Sequence, residues 1–152
     1  MDNKKIIELV KEIRVNTGFG VMEIKAAVEE AGGDRAKTME ILKKKGYEKA
    51  EKKAERETRQ GRVATYTHTT GKIGVMVELL CETDFVAKNE EFMNVAREIC
   101  LQVAAMNPKD ATELLAQDYI KDPSRKIDDL IKELVSKFGE NMKLGRIERF
   151  EI

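Results

Sequence analysis

Two cysteines and one histidine are the residues whose chemistry this chain would most easily recruit. A thiol attacks only as its thiolate, so Cys81 would need a base beside it, and His68 is the single imidazole. A Cys81–His68 pair is therefore one candidate, a thiol enzyme. Against it, Cys81 continues the apolar parity of Ile73, Val75, Val77 and Leu79, which reads as a buried strand position. Cys100 falls in a helical apolar repeat and reads as a small buried hydrophobe. One histidine without acidic or thiol partners at ligand spacing is a poor metal centre, and two cysteines are too few for a disulfide framework.

A second constellation is Glu82-Thr83-Asp84-Phe85-Val86-Ala87-Lys88-Asn89, an aromatic beside a carboxylate where an alternating apolar run gives way to a helical one. Corners between rigid elements are exposed and often carry function. Phe85 would enter a partner's apolar pocket while Asp84 competes for that partner's polar groups. Alternatively, Phe85 caps the protein's own core and Asp84 sits in a helix first turn, where the macrodipole favours an acid. The residues alone leave both readings open.

The elements around these residues follow from periodicity. In 152 residues, 28 Lys and Arg balance 28 Asp and Glu. This zero net charge argues against non-specific binding to nucleic acid or to a membrane. No apolar run is long enough to span a bilayer, no signal-peptide core precedes the first helical pattern, and the cysteine usage fits a reducing cytoplasm. Ile6, Leu9, Val10 and Ile13 predict a helix over 4–15; Val21, Ile24 and Val28 a second; and Asp34 caps a third that stops at Gly46. Gly18-Phe19-Gly20 resembles the loop of ubiquitin-associated (UBA-like) bundles, with Phe19 either a core plug or a binding residue. Residues 47–60 interleave charges of both signs and predict an exposed connecting helix.

From Gly61 the period changes. Arg62 to Thr70, with His68 in it, and Ile73 to Leu79 predict a β-hairpin turning at Gly71. Asn89 caps the strongest helix, through Phe92, Val95, Ala96, Ile99, Cys100 and Val103, which Asn107-Pro108 ends. Ala111 to Ala116 suggests a short helix and Asp122-Pro123-Ser124 a turn. Ile127 to Phe138 is a last helix ending at Gly139, and Met142 opens a strand that needs a bulge near Gly145 to reconcile its parity. The expectation is an α+β fold: a three-helix UBA-like bundle over 1–46, a connecting helix over 47–60, and a core over 61–152 with about three antiparallel strands against helices.

Thr83-Asp84-Phe85-Val86-Ala87, after an apolar strand ending in Cys81-Glu82, closely resembles the signature of the elongation factor Ts family, guanine-nucleotide exchange factors of elongation factor Tu. Three further blocks resemble the family in its own order. They are Val10-Lys11-Glu12-Ile13-Arg14 with Thr17 to Lys25, then Tyr66 to Glu78, then Lys137-Phe138-Gly139-Glu140-Asn141 with Arg149-Phe150-Glu151. Phe19 replaces a small residue of the family pattern and Val21 replaces a methionine.

The resemblance implies promotion of GDP release from elongation factor Tu without covalent chemistry. Asp84 and Phe85, presented by Thr83 and Val86, would press into the partner and disturb its Mg²⁺ site. Arg14, Val21 and Met22 would form a second docking patch on the amino-terminal module. GDP, GTP and Mg²⁺ would belong to the partner, so no cofactor is expected here. The chain looks like a short member, lacking a second core half and a coiled-coil insertion, and shortened between the long helix and the final one. That shortening implies a homodimer or a 2:2 complex. The alternative function is a UBA-type adaptor that binds a protein surface without exchange activity.

Overall fold

The computed structural model describes residues 2–152. Asp2 caps α1 (Asn3–Thr17), accepting the Lys4 N–H, and Gly18 ends it in the left-handed conformation at φ 72°. α2 (Val21–Glu30) follows, and Asp34 caps α3 (Arg35–Lys53) by accepting the Lys37 N–H. Val10, Ile13, Ile24, Ala27, Val28 and Leu42 bury one another as the core of this three-helix bundle.

Gly46 does not end the third helix, which runs unbroken to Lys53; residues 54–59 then cross to the sheet. No separate connecting helix spans 47–60. The glycine serves a close approach instead: a Cβ there would lie 3.2 Å from Ser136 Oγ and 3.5 Å from the Phe19 ring. Glycine weakens a helix interior by only about 1 kcal/mol, which burial against a neighbour easily outweighs. The carboxy-terminal half of α3 packs on the last helix, with Ala50 buried in the second core. Lys49 of the helix reaches Glu23 at 2.6 Å, and Arg56, just past its end, reaches Glu82 at 3.6 Å.

β1 (Gln60–Thr67) and β2 (Ile73–Cys81) form the antiparallel hairpin, Gln60 opposite Cys81 and Thr67 opposite Gly74. The first strand starts and stops earlier than its composition suggests. His68 lies just past its end, although its N–H still bonds to Ile73 O. One helical turn, α4 (Asp84–Ala87), precedes α5 (Glu90–Met106), whose cap Asn89 accepts the Glu91 N–H and whose end is Asn107 in the left-handed region. α6 (Ala111–Ala116) is the short helix expected.

Asp122-Pro123-Ser124 is not a turn. It begins β4 (Asp122–Lys126), paired with β3 (Asp118–Tyr119) across Ile120-Lys121. A two-stranded ribbon has only edges, so the proline need not surrender a ladder hydrogen bond. α7 (Ile127–Phe138) ends at Gly139, φ 71°, and β5 (Met142–Glu151) completes a three-stranded sheet in the order β1-β2-β5.

The bulge falls where parity required it. Val77 pairs with Ile147 and Leu79 with Leu144, so Glu78 faces both Gly145 and Arg146. Met142, Leu144 and Ile147 therefore share the inner face, and Phe150 turns outward. α5 and α7 cover the inner face around Val75, Val77, Leu79, Phe92, Ile99 and Leu134. On the outer face Val63, Met76 and Phe150 are exposed, with Ile152 just beyond. Among the described residues, seven helices with this small sheet make the α+β class expected.

Candidate functional site

Thr83 leaves β2 in an extended conformation and caps α4, its hydroxyl accepting the Val86 N–H at 3.4 Å. A single helical turn then sorts its side chains by facing. Val86 and Ala87 are buried against the sheet core, whereas Asp84 and Phe85 point to solvent. Arg62 of β1 fixes the back of the turn, its Nε donating to Ala87 O at 3.0 Å.

Phe85 is 89% exposed. It does not cap the protein's own core, which corrects that reading of the residue. A large aromatic held in water by a rigid turn is a ready anchor for a partner's pocket. Asp84 does occupy a helix first turn, and its carboxylate meets Lys88 Nζ at 2.5 Å. Both side chains of that pair are more than half exposed, so the pair is worth at most about 1 kcal/mol and yields readily to a better partner.

The support beneath the corner was not legible as such in the sequence. Glu140 Oε2 accepts the N–H of Glu82 at 3.1 Å and of Thr83 at 3.0 Å, while its Oε1 accepts the Thr83 hydroxyl at 2.5 Å. Glu82 answers in kind, its Oε1 accepting the Asn141 N–H at 2.6 Å. Asn141 is buried, and its amide nitrogen donates to Ala54 O at 3.2 Å and Arg56 O at 2.7 Å. Three segments, 54–56, 82–83 and 140–141, are thereby tied at one point. The only sequence signal was the resemblance of the Gly139-Glu140-Asn141 block, which assigned no role to either side chain.

On the bundle, Val21 and Met22 are 52% and 75% exposed at the start of α2. Arg14 is bound locally: its Nη1 donates to Gly18 O at 3.3 Å and Phe19 O at 2.5 Å, clamping the loop that leads to Val21. Phe19 is partly buried, packed on the bundle core, and lines a cleft of about 510 Å³ between bundle and α7.

The thiol–imidazole pair does not form. His68 follows the end of β1 while Cys81 pairs with the start of that strand. Eight residues at about 3.3 Å each put them roughly 26 Å apart. Cys81 is buried, and desolvation, followed by the Glu140 charge, pushes its thiol up to about 11. Burial alone pushes Cys100 to about 11 as well. Both are the reverse of an activated nucleophile. His68 instead hydrogen-bonds through Nδ1 to the Tyr66 hydroxyl at 2.9 Å. Among the described residues no group of three His, Cys, Asp or Glu is arranged to hold a metal, and no helix is long and apolar enough to cross a membrane.

Comparison with known proteins points the same way as the motifs. A family model described as "Elongation factor TS" matches residues 82–152. Similar proteins include an "Elongation factor Ts" of Thermotoga petrophila, 39% identical over 189 residues covering 96% of this chain and 95% of that one. Another, of Thermodesulfovibrio yellowstonii, is 40% identical, covering 95% and 94%. A third, of Leptospira biflexa, is 38% identical, covering 95% and 96%. Since 96% of 152 residues is about 146, roughly 43 of the 189 positions aligned with the first relative have no counterpart here.

Proposed function

The chain belongs to the elongation factor Ts family, and from that membership we propose that it binds elongation factor Tu·GDP and promotes release of the nucleotide. The observation that carries the reading is Phe85, an aromatic 89% exposed beside a weakly held carboxylate on a turn with a buried back. Docked on the partner's nucleotide domain, Phe85 fills an apolar pocket and Asp84 competes for polar groups near the Mg²⁺ site. A Mg²⁺ held partly by phosphates needs near-ideal octahedral geometry, so small displacements of its surroundings weaken it. Its loss leaves phosphate charge uncompensated and GDP departs. The coupling is reciprocal: nucleotide weakens binding of the factor by the same factor. Each tenfold gain in release requires only about 1.4 kcal/mol of differential stabilisation.

In this reading Thr83 and Val86 present the pair from behind. Val21 and Met22 make a second contact from the bundle, with Arg14 shaping the loop before them. The bundle over 1–46 and the core over 61–152 act as two docking units, with 47–60 between them. No covalent step occurs, the nucleotide and Mg²⁺ belong to the partner, and the site of action is the cytoplasm. In this reading a second copy of the chain supplies the core half that the deficit of about 43 positions leaves out, through the open sheet face.

Stopped-flow release of a fluorescent GDP analogue from elongation factor Tu in millimolar Mg²⁺ tests this. The wild type should accelerate release strongly. Asp84→Ala and Phe85→Ala should each lower the acceleration by at least about tenfold without lowering Tm, because neither side chain is buried. No acceleration by folded wild type would sink the exchange reading. Binding that survives both substitutions but is lost when Gly18-Phe19-Gly20 is altered would bring forward the adaptor.

A further inference from the structure

We propose that Glu140 is a positioning residue for the exchange corner, fixing the direction in which Asp84 and Phe85 leave the fold; this rests on the exchange reading above. Three donors from the corner converge on its one carboxylate: the Glu82 and Thr83 N–H groups and the Thr83 hydroxyl. No other side chain makes these bonds among the described residues. The hydroxyl is the decisive one. With its proton committed to Glu140 at 2.5 Å, Thr83 Oγ1 turns a lone pair toward the Val86 N–H and caps α4. The carboxylate thus sets the rotor that starts the turn. Hydrogen bonds to an ionised acceptor are about twice as strong as neutral ones, so the setting is firm.

The brace is reciprocal and anchored. Glu140 accepts from the backbone of Glu82, and Glu82 accepts from the backbone of Asn141. Asn141, buried, ties the pair to the two carbonyls just beyond α3. The loop after α7 therefore holds the corner against the segment that leaves the bundle. A four-residue helix cannot hold its own shape, since isolated helices need about 12–15 residues. Without Glu140 the buried Val86 keeps the turn attached, but the Asp84–Phe85 edge pivots about it. A misplacement of about 1 Å is enough to cost such a site its activity.

The test is Glu140→Gln, which keeps shape but replaces one acceptor oxygen with an NH₂ that faces N–H donors. In the protein without its partner, amide hydrogen exchange followed by NMR should show the Glu82 and Thr83 N–H groups losing at least tenfold protection. With elongation factor Tu, the maximal GDP-release rate should fall about tenfold while the half-saturating concentration stays within about threefold. In an Asp84→Ala/Phe85→Ala background the same change should cost less than twofold, because neither side chain is left to aim. An equal loss in both backgrounds, or unchanged protection of the two amides, overturns the proposal. If Glu140→Gln lowers Tm by more than a few degrees, Thr83→Val removes the same hydroxyl bond from the other side and should repeat the rate loss. Should wild type release no GDP, the exchange reading fails, and amide protection alone decides whether Glu140 braces the corner.

Discussion

Phe85 and Val86 are neighbours with opposite fates, and the reason is the turn that holds them. Val86 goes into the core beside Ala87, while Phe85 leaves it. Sequence reasoning could not separate these, because a four-residue helix is too short for periodicity to assign a face. The cysteines were legible, because each continued a long apolar pattern that fixed its burial. Their shifted thiols carry a consequence for stability. A group whose folded pKa is raised above its unfolded value binds its proton more tightly in the native state. Its contribution is complete below the unfolded pKa and is lost as pH rises toward the folded one. For Cys81 and Cys100 that window runs from about 9 to about 11. Tyr119, pushed to about 12 by burial and then by its bond to Glu98, acts in the same direction at higher pH. The urea midpoint should therefore fall between about pH 9 and pH 11, and fall less steeply in a Cys81→Ala/Cys100→Ala protein. Equal slopes in the two proteins would show that the thiols do not contribute. At neutral pH neither thiol should react with a disulfide reagent until the chain is unfolded.

At the scale of elements, long amphipathic patterns were read well and short or crowded ones were not. α5 and α7 could be placed because their apolar residues recur over several turns, and the β5 bulge because two parities could not otherwise share one face. The misreadings have local causes. Gly46 looks like a stop until α7 is seen lying against it, and the β3–β4 ribbon carries too few apolar residues to signal pairing. Gly61 shows the same dependence on a neighbour. A Cβ there would lie 2.3 Å from Leu79 O and 2.9 Å from Leu80 Cα, both backbone atoms that cannot rotate away. Gly61→Ala must push β1 off β2 near the strand end that adjoins the exchange corner. Overpacking of this kind costs about 1–3 kcal/mol. The urea midpoint should drop accordingly, whereas Gly74→Ala, with open space around its Cβ and no left-handed backbone, should cost less. Equal losses would mean that strand contact is not what constrains Gly61.

The whole molecule leaves one face of its sheet without a layer. α5 and α7 cover the inner side, but Val63, Met76 and Phe150 stand on the outer side, Phe150 at 73% exposure, with Ile152 at its margin. A small sheet with two unequal faces is stable alone only when one face is buried, and the other is then free to meet a second sheet. Charges on that face come in both signs, with the Glu78–Arg146 pair beside Met76 and Glu148, so a copy turned by a two-fold axis can match acid to base. An isologous contact of this kind needs no further element from either chain. If two copies meet on this face, each chain would present its Asp84–Phe85 corner beside one composite core. Light scattering at micromolar concentration should give a mass near twice 17.3 kDa. Met76→Lys with Phe150→Glu should give the monomer mass with little loss of helix, since both side chains are exposed in the single chain. A wild-type monomer would refute the dimer. A dimer that survives both changes would move its interface elsewhere, most simply to the cleft between the bundle and α7. If the monomeric variant still releases GDP at the wild-type rate, each chain carries a complete exchange site and the second copy serves stability alone.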